Sequence, residues 1–158
     1  MIYVECKPDQ KLVQLASGFQ QREIIHELKG KYGIAARLGD QRNASGMLDE
    51  DPGKHQPSYL TKLHVSDEII DAGLKLLKDT ARGNQVILLM PRLEEWVLRA
   101  AHDVDLDVIR LGLPRNPNRL HEEINLDIRK FERLLRELES NNSFRLKALG
   151  NLIRAANP

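Results

Sequence analysis

The first fifty residues alternate between short apolar runs and amphipathic stretches. Three apolar or β-branched runs predict strands: Ile2-Tyr3-Val4, Ile24-Ile25 and residues 44–49. Between the first two runs, the spacing of apolar residues predicts a helix that Asp9 caps and Gly18 ends. Residues 30–38 predict a second helix. This strand–helix–strand–helix–strand order predicts a parallel α/β sheet with right-handed crossovers.

The pattern of residues 66–80 fits two structures. An amphipathic helix would place Gly73 in its middle, at a cost of about 1 kcal/mol relative to alanine. The alternative, which we favour, is a strand over residues 73–78 that pairs with the next strand through a turn at residues 82–84. That next strand, residues 85–90 (QVILLM), is nearly continuous in apolar residues, which is typical of a strand covered on both faces.

Helices are predicted for the rest of the chain. Pro91 is predicted to open one helix, and Asn118 to cap a long one that ends at Asn141-Asn142-Ser143, before a last helix. The predicted fold class is therefore α/β, with a mainly parallel sheet flanked by helices. We predict a core over residues 1–110 and a C-terminal helical extension over residues 111–158 that packs on it as one compact unit.

Composition excludes several classes of protein. The 158 residues include 41% hydrophobic and 30% charged residues, which is ordinary for a globular chain, and the net charge of +1 gives no bulk positive field for nucleic acid. No apolar run approaches the ~20 residues of a membrane helix, and a charge at the fifth residue argues against a secretory signal. One cysteine, Cys6, excludes an internal disulfide. We expect a cytoplasmic protein without membrane contact.

Three adjacent carboxylates follow the third predicted strand, in the stretch SGMLDEDPG. Strand alternation predicts that Asp49 and Asp51 share a face while Glu50 points elsewhere. Such an aspartate pair suits Mg²⁺ or Mn²⁺, which prefer oxygen ligands, and a divalent ion would offset the repulsion between the two. The alternative is an exposed turn formed by Asp and Pro-Gly.

Two further carboxylates follow neighbouring strands. In a parallel sheet, Glu5 would lie at the same edge as Asp49, where functional groups collect. Helical spacing places Glu94 at the edge of the apolar face of its helix, while Glu95 points away from it. Glu94 is therefore the predicted inward ligand, although an acid near a helix N-terminus is also favoured by the helix dipole alone.

Short motifs around these carboxylates resemble those of a known family. VECKPD (residues 4–9) is similar to the first motif of the Toprim domain, a glutamate after a hydrophobic strand with an aspartate four positions on. MLDEDP (residues 47–52) is similar to its second motif, a DxD. PRLEEWVLRAA (residues 91–101) resembles a segment of small Toprim-like proteins. The resemblance covers roughly residues 1–105, and it implies a fold shared with topoisomerases, bacterial primases and the overcoming-lysogenization-defect nucleases.

The resemblance also implies roles for individual residues. Glu5 matches the family glutamate, a general acid/base or metal ligand, and Asp49 and Asp51 match the metal-binding aspartates. Cys6 departs from the pattern, because the family usually has glycine there. No second domain accounts for the tyrosine nucleophile of a topoisomerase, and one cysteine excludes the zinc site of a recombination mediator.

Basic residues near the motifs are candidate phosphate contacts: Lys7, Lys54 and Arg92. The alternative for each is an ordinary surface charge. The five histidines show no HxxxH or HExxH spacing, which argues against a zinc site or a histidine-based triad. Trp96 lies on the apolar face of its helix and is predicted to be a core residue.

These features lead to two functional hypotheses. The first is a Mg²⁺- or Mn²⁺-dependent nuclease acting on DNA or RNA, in which Asp49, Asp51 and Glu94 hold metal and Glu5 handles a proton or helps to hold metal. The second is a non-catalytic Toprim-like binding or regulatory module in a defence or toxin–antitoxin system, which near-neutral charge favours. The choice of DNA or RNA, a protein partner and the oligomeric state stay open.

Overall fold

The computed structural model of the protein describes all 158 residues. Six strands form one sheet: β1 (Ile2–Val4), β2 (Ile24–His26), β3 (Ser45–Asp49), β4 (His64–Ile69), β5 (Leu74–Asp79) and β6 (Asn84–Leu89). Seven α-helices accompany it: α1 (Lys7–Ser17), α2 (Gly30–Asp40), α3 (Ser58–Thr61), α4 (Leu93–Asp103), α5 (Pro117–Leu126), α6 (Ile128–Ser140) and α7 (Phe144–Ala156). None of these helices has the length and apolar character needed to cross a bilayer.

The sheet is mostly parallel. Its strand order is β2-β1-β3-β6-β5-β4; the first four of these strands run parallel, β5 pairs antiparallel with β6, and β4 pairs antiparallel with β5. This arrangement confirms the predicted α/β class. It also brings the carboxyl ends of β1, β2, β3 and β6 to one edge of the sheet, and the segments that follow these strands carry the candidate site residues.

Alternating strand residues build a core on each face of the sheet. The larger cluster joins Ile2, Met47 and Leu89 to apolar residues of α1, α4 and all three C-terminal helices. The smaller cluster lies on the opposite face, where Leu48 and Leu88 pack with residues of α2 and α3. Residues 111–158 therefore share one core with the α/β region instead of forming a core of their own.

The hairpin favoured for residues 66–80 is confirmed. Strand β5 pairs antiparallel with β6, from Leu74 opposite Leu89 to Asp79 opposite Asn84. Gly73 precedes β5 with φ +65°, a left-handed conformation that favours glycine. The structure adds β4, which the sequence did not predict. It is an edge strand with five of six residues exposed, so it lacks the apolar alternation that marks a half-buried strand.

Two helix starts predicted within residues 1–110 were wrong. Cys6, not Asp9, is the N-cap of α1, and Asp9 lies inside the first turn, where its carboxylate accepts the Cys6 N–H in a capping box. Pro91 does not open α4, which begins at Leu93 after the extended residue Arg92. Asp9 therefore still takes part in capping α1, whereas the side chain of Arg92, the N-cap of α4, makes no capping hydrogen bond.

The predicted long helix of the C-terminal extension is two helices. Asn116, not the predicted Asn118, caps α5, and Pro117 takes its first position. The chain leaves helical geometry at Asp127, and the Asp127 carboxylate accepts the Arg129 N–H to start α6. The predicted break at residues 141–143 and the buried position of Trp96 are confirmed; the indole N–H donates to the Ala72 carbonyl at 2.8 Å.

Close packing of α1 on α7 gives a stability prediction. A Cβ on Gly150 would lie 2.1 Å from the Ala16 carbonyl oxygen, whereas a Cβ on Gly39 would meet only the Tyr59 ring at 3.8 Å. We expect Gly150→Ala to lower the free energy of unfolding by about 1–3 kcal/mol. Gly39→Ala, the matched helical control, should raise it by about 0.4–1 kcal/mol. Urea denaturation measures both, and a shift in the same direction for the two variants would contradict this account of the helix contact.

Candidate functional site

Four carboxylates gather at the carboxyl edge of the sheet. Glu5 follows β1 and Asp49 ends β3, the adjacent strand, and the Asp49 N–H donates to Glu5 Oε1 at 3.3 Å. Asp9 lies in the first turn of α1, and Glu94 lies in the first turn of α4, which follows β6. The structure thus brings together Glu5, Asp49 and Glu94, which the sequence selected, and adds Asp9.

The cluster is buried and largely without counter-charge. Asp9 is 6% exposed and Glu94 is 4% exposed. None of Glu5, Asp9 and Asp49 forms an ion pair with a basic side chain. Asp49 Oδ1 instead accepts the first amide N–H of α4, from Leu93, at 2.8 Å. Amide groups at a helix N-terminus therefore supply part of the positive charge near this site.

Burial and mutual repulsion shift the pKa values of these carboxylates upward. Burial, and then the charges of Asp9, Glu5 and Glu94, raise the pKa of Asp49 to about 9. Burial raises the pKa of Asp9 to about 7 with help from the charge of Glu5 and against a hydrogen bond from Cys6. Burial also raises the pKa of Glu5, against the Asp49 amide and the charge of Lys31. Without a cation, the cluster therefore retains protons at neutral pH.

A pH-dependent difference in stability follows from Asp49. Its pKa in the folded protein lies above that of an unfolded aspartate, about 3.9, so its contribution to stability is full below that pH and is lost as pH rises towards about 9. Asp49→Asn has no such group. In EDTA, we expect the unfolding free energy of Asp49→Asn, relative to that of wild type, to be higher at pH 8 than at pH 5. Urea denaturation at the two pH values measures this, and a constant difference would show that Asp49 titrates normally.

Asp51 does not share a face with Asp49 as predicted. Strand β3 ends at Asp49, and Asp51 adopts a left-handed φ of +49°, so the two-residue alternation stops. Asp51 contacts Lys31 of α2 at 2.8 Å and Lys54 at 3.1 Å, whereas Asp49 contacts α4 on the other face of the sheet. Burial acts to raise the pKa of Asp51, but the hydrogen bonds from these lysines lower it overall. Asp51 is an ionised carboxylate beside the buried cluster.

The two neighbouring glutamates lie where the sequence predicted. Glu50 points away from the cluster and pairs with Lys75 of β5 at 2.8 Å. Glu95 also points away, and its carboxylate accepts a hydrogen bond from Arg92 Nε at 2.8 Å. Substitutions of Glu50 and Glu95 are therefore matched controls for substitutions of Asp49 and Glu94.

Lys54 and Arg92 face a small polar pocket of about 220 Å³. Asp51 and Glu95 also line it, so the loops after β3 and β6 contribute together. Lys7 is exposed on α1 and does not line this pocket. Of the three predicted phosphate contacts, the structure therefore brings two together at the carboxyl edge. A larger cavity of about 480 Å³ lies at the far end of α4, but none of the four clustered carboxylates lines it.

Sequence reasoning missed three residues of the site. Asp9 was interpreted as a cap, although its place four positions after Glu5 in the VECKPD motif was the available signal. Lys31 was not selected, and its buried contact with Asp51 depends on the left-handed turn. His121 of α5 places Nδ1 2.6 Å from Glu94 Oε1 and links the C-terminal helices to the cluster. Histidine spacing gave no signal for this contact, because the partner lies on a different helix.

The donor set suits a hard divalent cation in its chemistry. Carboxylate oxygens are the ligands that Mg²⁺ and Mn²⁺ prefer, and buried carboxylates without basic partners are what such an ion would stabilise. No three His, Cys, Asp or Glu side chains are arranged to hold one ion in common, so binding would require side-chain adjustment or water ligands. Burial, and then the charge of Asp9, raise the pKa of the Cys6 thiol, which argues against a thiolate nucleophile.

The likeness to Toprim proteins rests on three short motifs and on the convergence of Glu5 and Asp49 at one edge of the sheet. It stays a prediction. Comparison of the chain with protein-family models, with curated proteins and with solved structures gives no match.

Proposed function

We propose that the protein is a Mg²⁺- or Mn²⁺-dependent nuclease with a Toprim-like core. One observation carries the proposal: Glu5, Asp9 and Asp49 are carboxylates at the carboxyl edge of a mostly parallel sheet, and none of them has a basic partner. Burying carboxylates together is costly, as their raised pKa values indicate. A divalent cation at this edge would offset that cost, and this edge is where functional groups collect in such sheets.

Each side chain has an assigned part. Asp9, Asp49 and Glu94 would hold the ion, which when bound would offset the charge on the phosphate that is cleaved. His121 would orient Glu94 through its 2.6 Å contact. Asp51, which is already paired with two lysines, would mainly position Lys54 instead of acting as a principal ligand.

Phosphate and proton contacts complete the proposed site. Lys54 and Arg92, on the 220 Å³ polar pocket, would contact the phosphodiester. Water would add to the phosphorus as the bond to the leaving oxygen breaks. The raised pKa of Glu5 suits a group that takes up the proton of that water and returns it to the leaving oxygen.

A cleavage assay tests the proposal. The wild-type protein should cleave at least one of single-stranded DNA, double-stranded DNA, single-stranded RNA and double-stranded RNA with Mg²⁺ or Mn²⁺ present. EDTA should stop the reaction, and excess metal should restore it. If all four substrates stay intact under every metal condition, the nuclease proposal is wrong.

A non-catalytic binding module is the second candidate function. The observation that favours it is that no three potential ligands are arranged for one ion, an arrangement that binding without turnover does not need. The net charge of +1 gives the protein no overall positive field, which agrees with weak binding of nucleic acid. Retention of labelled nucleic acid without cleavage in the same assays would select this candidate.

A further inference from the structure

Two lysine–aromatic pairs meet at Asp51. Lys31 and Lys54 bind the two oxygens of its carboxylate, at 2.8 Å and 3.1 Å. Each lysine is followed in sequence by an aromatic residue, Tyr32 on α2 and His55 in the loop after β3. The two ring planes are 3° apart and their centroids are 6.4 Å apart, so the rings lie side by side and do not stack on each other. The Asp51 contacts therefore hold a pair of parallel rings beside the candidate site.

These rings are not used for packing. Tyr32 is 55% exposed, His55 is exposed, and neither belongs to the two apolar clusters of the core. The Tyr32 hydroxyl lies 2.7 Å from His55 Nδ1, which fixes the orientation of both rings. A fixed, exposed aromatic surface loses little conformational freedom on binding a flat partner. Its position next to Lys54, which lines the polar pocket, points to a partner that also carries phosphate.

We propose that an unpaired nucleobase stacks on the Tyr32–His55 pair, so that the site takes single-stranded nucleic acid in preference to a continuous duplex. The inference rests on the proposed function and gives its substrate class. Bases within a duplex are covered on both faces by their neighbours, whereas an unpaired base offers a free π-face. Stacking on an aromatic side chain tolerates any base, so the preference is for unpaired structure and not for sequence.

A second explanation of the Tyr32–His55 contact is local. The hydroxyl contact holds the loop after β3 against α2, and that alone would give the pair a structural use. Two substitutions separate the explanations. Tyr32→Phe keeps the ring and removes the hydroxyl, whereas Tyr32→Ala removes both. A stacking surface needs the ring, and a loop anchor needs the hydroxyl.

Fluorescence anisotropy with short labelled oligothymidylate, oligouridylate and a blunt DNA duplex tests the inference. All proteins carry Glu5→Gln, and Mg²⁺ is present, so that binding is measured while the probe stays intact. Tyr32→Ala should weaken single-strand binding roughly 5- to 150-fold, the loss expected for one base–aromatic stack. Duplex binding should change by less than about twofold, because the paired bases of the duplex do not stack on Tyr32. Tyr32→Phe keeps the ring and loses only the contact that fixes it, so it should weaken single-strand binding far less than Tyr32→Ala does. Phe144→Ala is the matched control, because Phe144 is a similarly exposed aromatic residue, 58% exposed, at the start of α7.

Several outcomes would overturn the inference. These are equal single-strand affinity for Tyr32→Ala and its parent, loss as large for Tyr32→Phe as for Tyr32→Ala, and equal weakening for duplex and single strand. If the wild type cleaves duplex substrates and no single-stranded ones, the inference is also overturned, while the nuclease proposal stands. Conversely, Tyr32-dependent binding of single strands without any cleavage would refute the nuclease and retain the stacking surface.

Discussion

Asp49→Asn and Glu5→Gln should each reduce metal-dependent cleavage by roughly 10²- to 10⁴-fold, the range typical for loss of a group that acts on the reacting atoms. Asp49 and Glu5 touch each other through the Asp49 amide, and both face the buried cluster. Groups that act together on one phosphate give large and non-additive losses, so the double variant should be little worse than either single variant. Initial cleavage rates, with circular dichroism as a check on folding, measure the effect.

Matched controls lie beside these residues in the sequence. Glu50→Gln removes only the charge of a partly exposed ion pair with Lys75, and Glu95→Gln removes only the charge beside Arg92 and keeps an oxygen that can accept its hydrogen bond. Both should keep cleavage within about threefold of wild type, because surface ion pairs contribute about 0–1 kcal/mol. Glu94→Gln should lose far more activity than Glu95→Gln. Equal losses for Glu50→Gln and Asp49→Asn would contradict the assignment of the site to the buried cluster.

Mg²⁺ or Mn²⁺ should raise the melting temperature of the wild-type protein. A ligand that binds only the folded state stabilises it by mass action, by about 2.7 kcal/mol at a concentration 100 times Kd. The increase should be larger at pH 8 than at pH 5, because metal binding must displace the protons that the raised pKa values of Asp9 and Asp49 retain.

Asp49→Asn should lose most of this metal-dependent increase. It should also be more stable than wild type in EDTA at pH 8, because folding of the wild type must add a proton to Asp49 at that pH, whereas asparagine needs none. Differential scanning calorimetry at the two pH values measures both effects. Identical metal-dependent shifts in wild type and Asp49→Asn would mean that the ion binds elsewhere, such as at exposed acidic residues.

The predictable parts of the fold are those in which local pattern and burial agree. Strands β1, β3 and β6 are apolar runs because most of their residues are buried, and β2 was recognised from its two isoleucines although only Ile24 is fully buried. Strand β4 was not recognised, because an exposed edge strand carries no apolar alternation. The division of the C-terminal extension at Asp127 was also missed, since apolar residues continue at helical spacing on both sides and the new N-cap is a purely local hydrogen bond.

The sequence predicts those residues of the candidate site whose positions follow from where the strands end. Glu5 and Asp49 were selected because parallel strands bring their carboxyl ends to one edge, and Glu94 because helical spacing turns it inward. Asp51 was placed on the wrong face, because a left-handed residue after the strand cannot be seen in an alternation pattern. His121 and Lys31 belong to the site through contacts between distant elements, and such contacts follow from the packed fold and not from spacing.

Anomalous diffraction from crystals soaked in Mn²⁺ tests the central claim most directly, because it locates the ion without reference to activity. The account predicts an anomalous peak at the carboxyl edge of the sheet, within coordination distance of Asp49 and at least one of Glu5, Asp9 and Glu94, and its loss in Asp49→Asn. A peak confined to other acidic residues, or no peak at this edge at saturating Mn²⁺, would contradict a metal centre at the buried carboxylates.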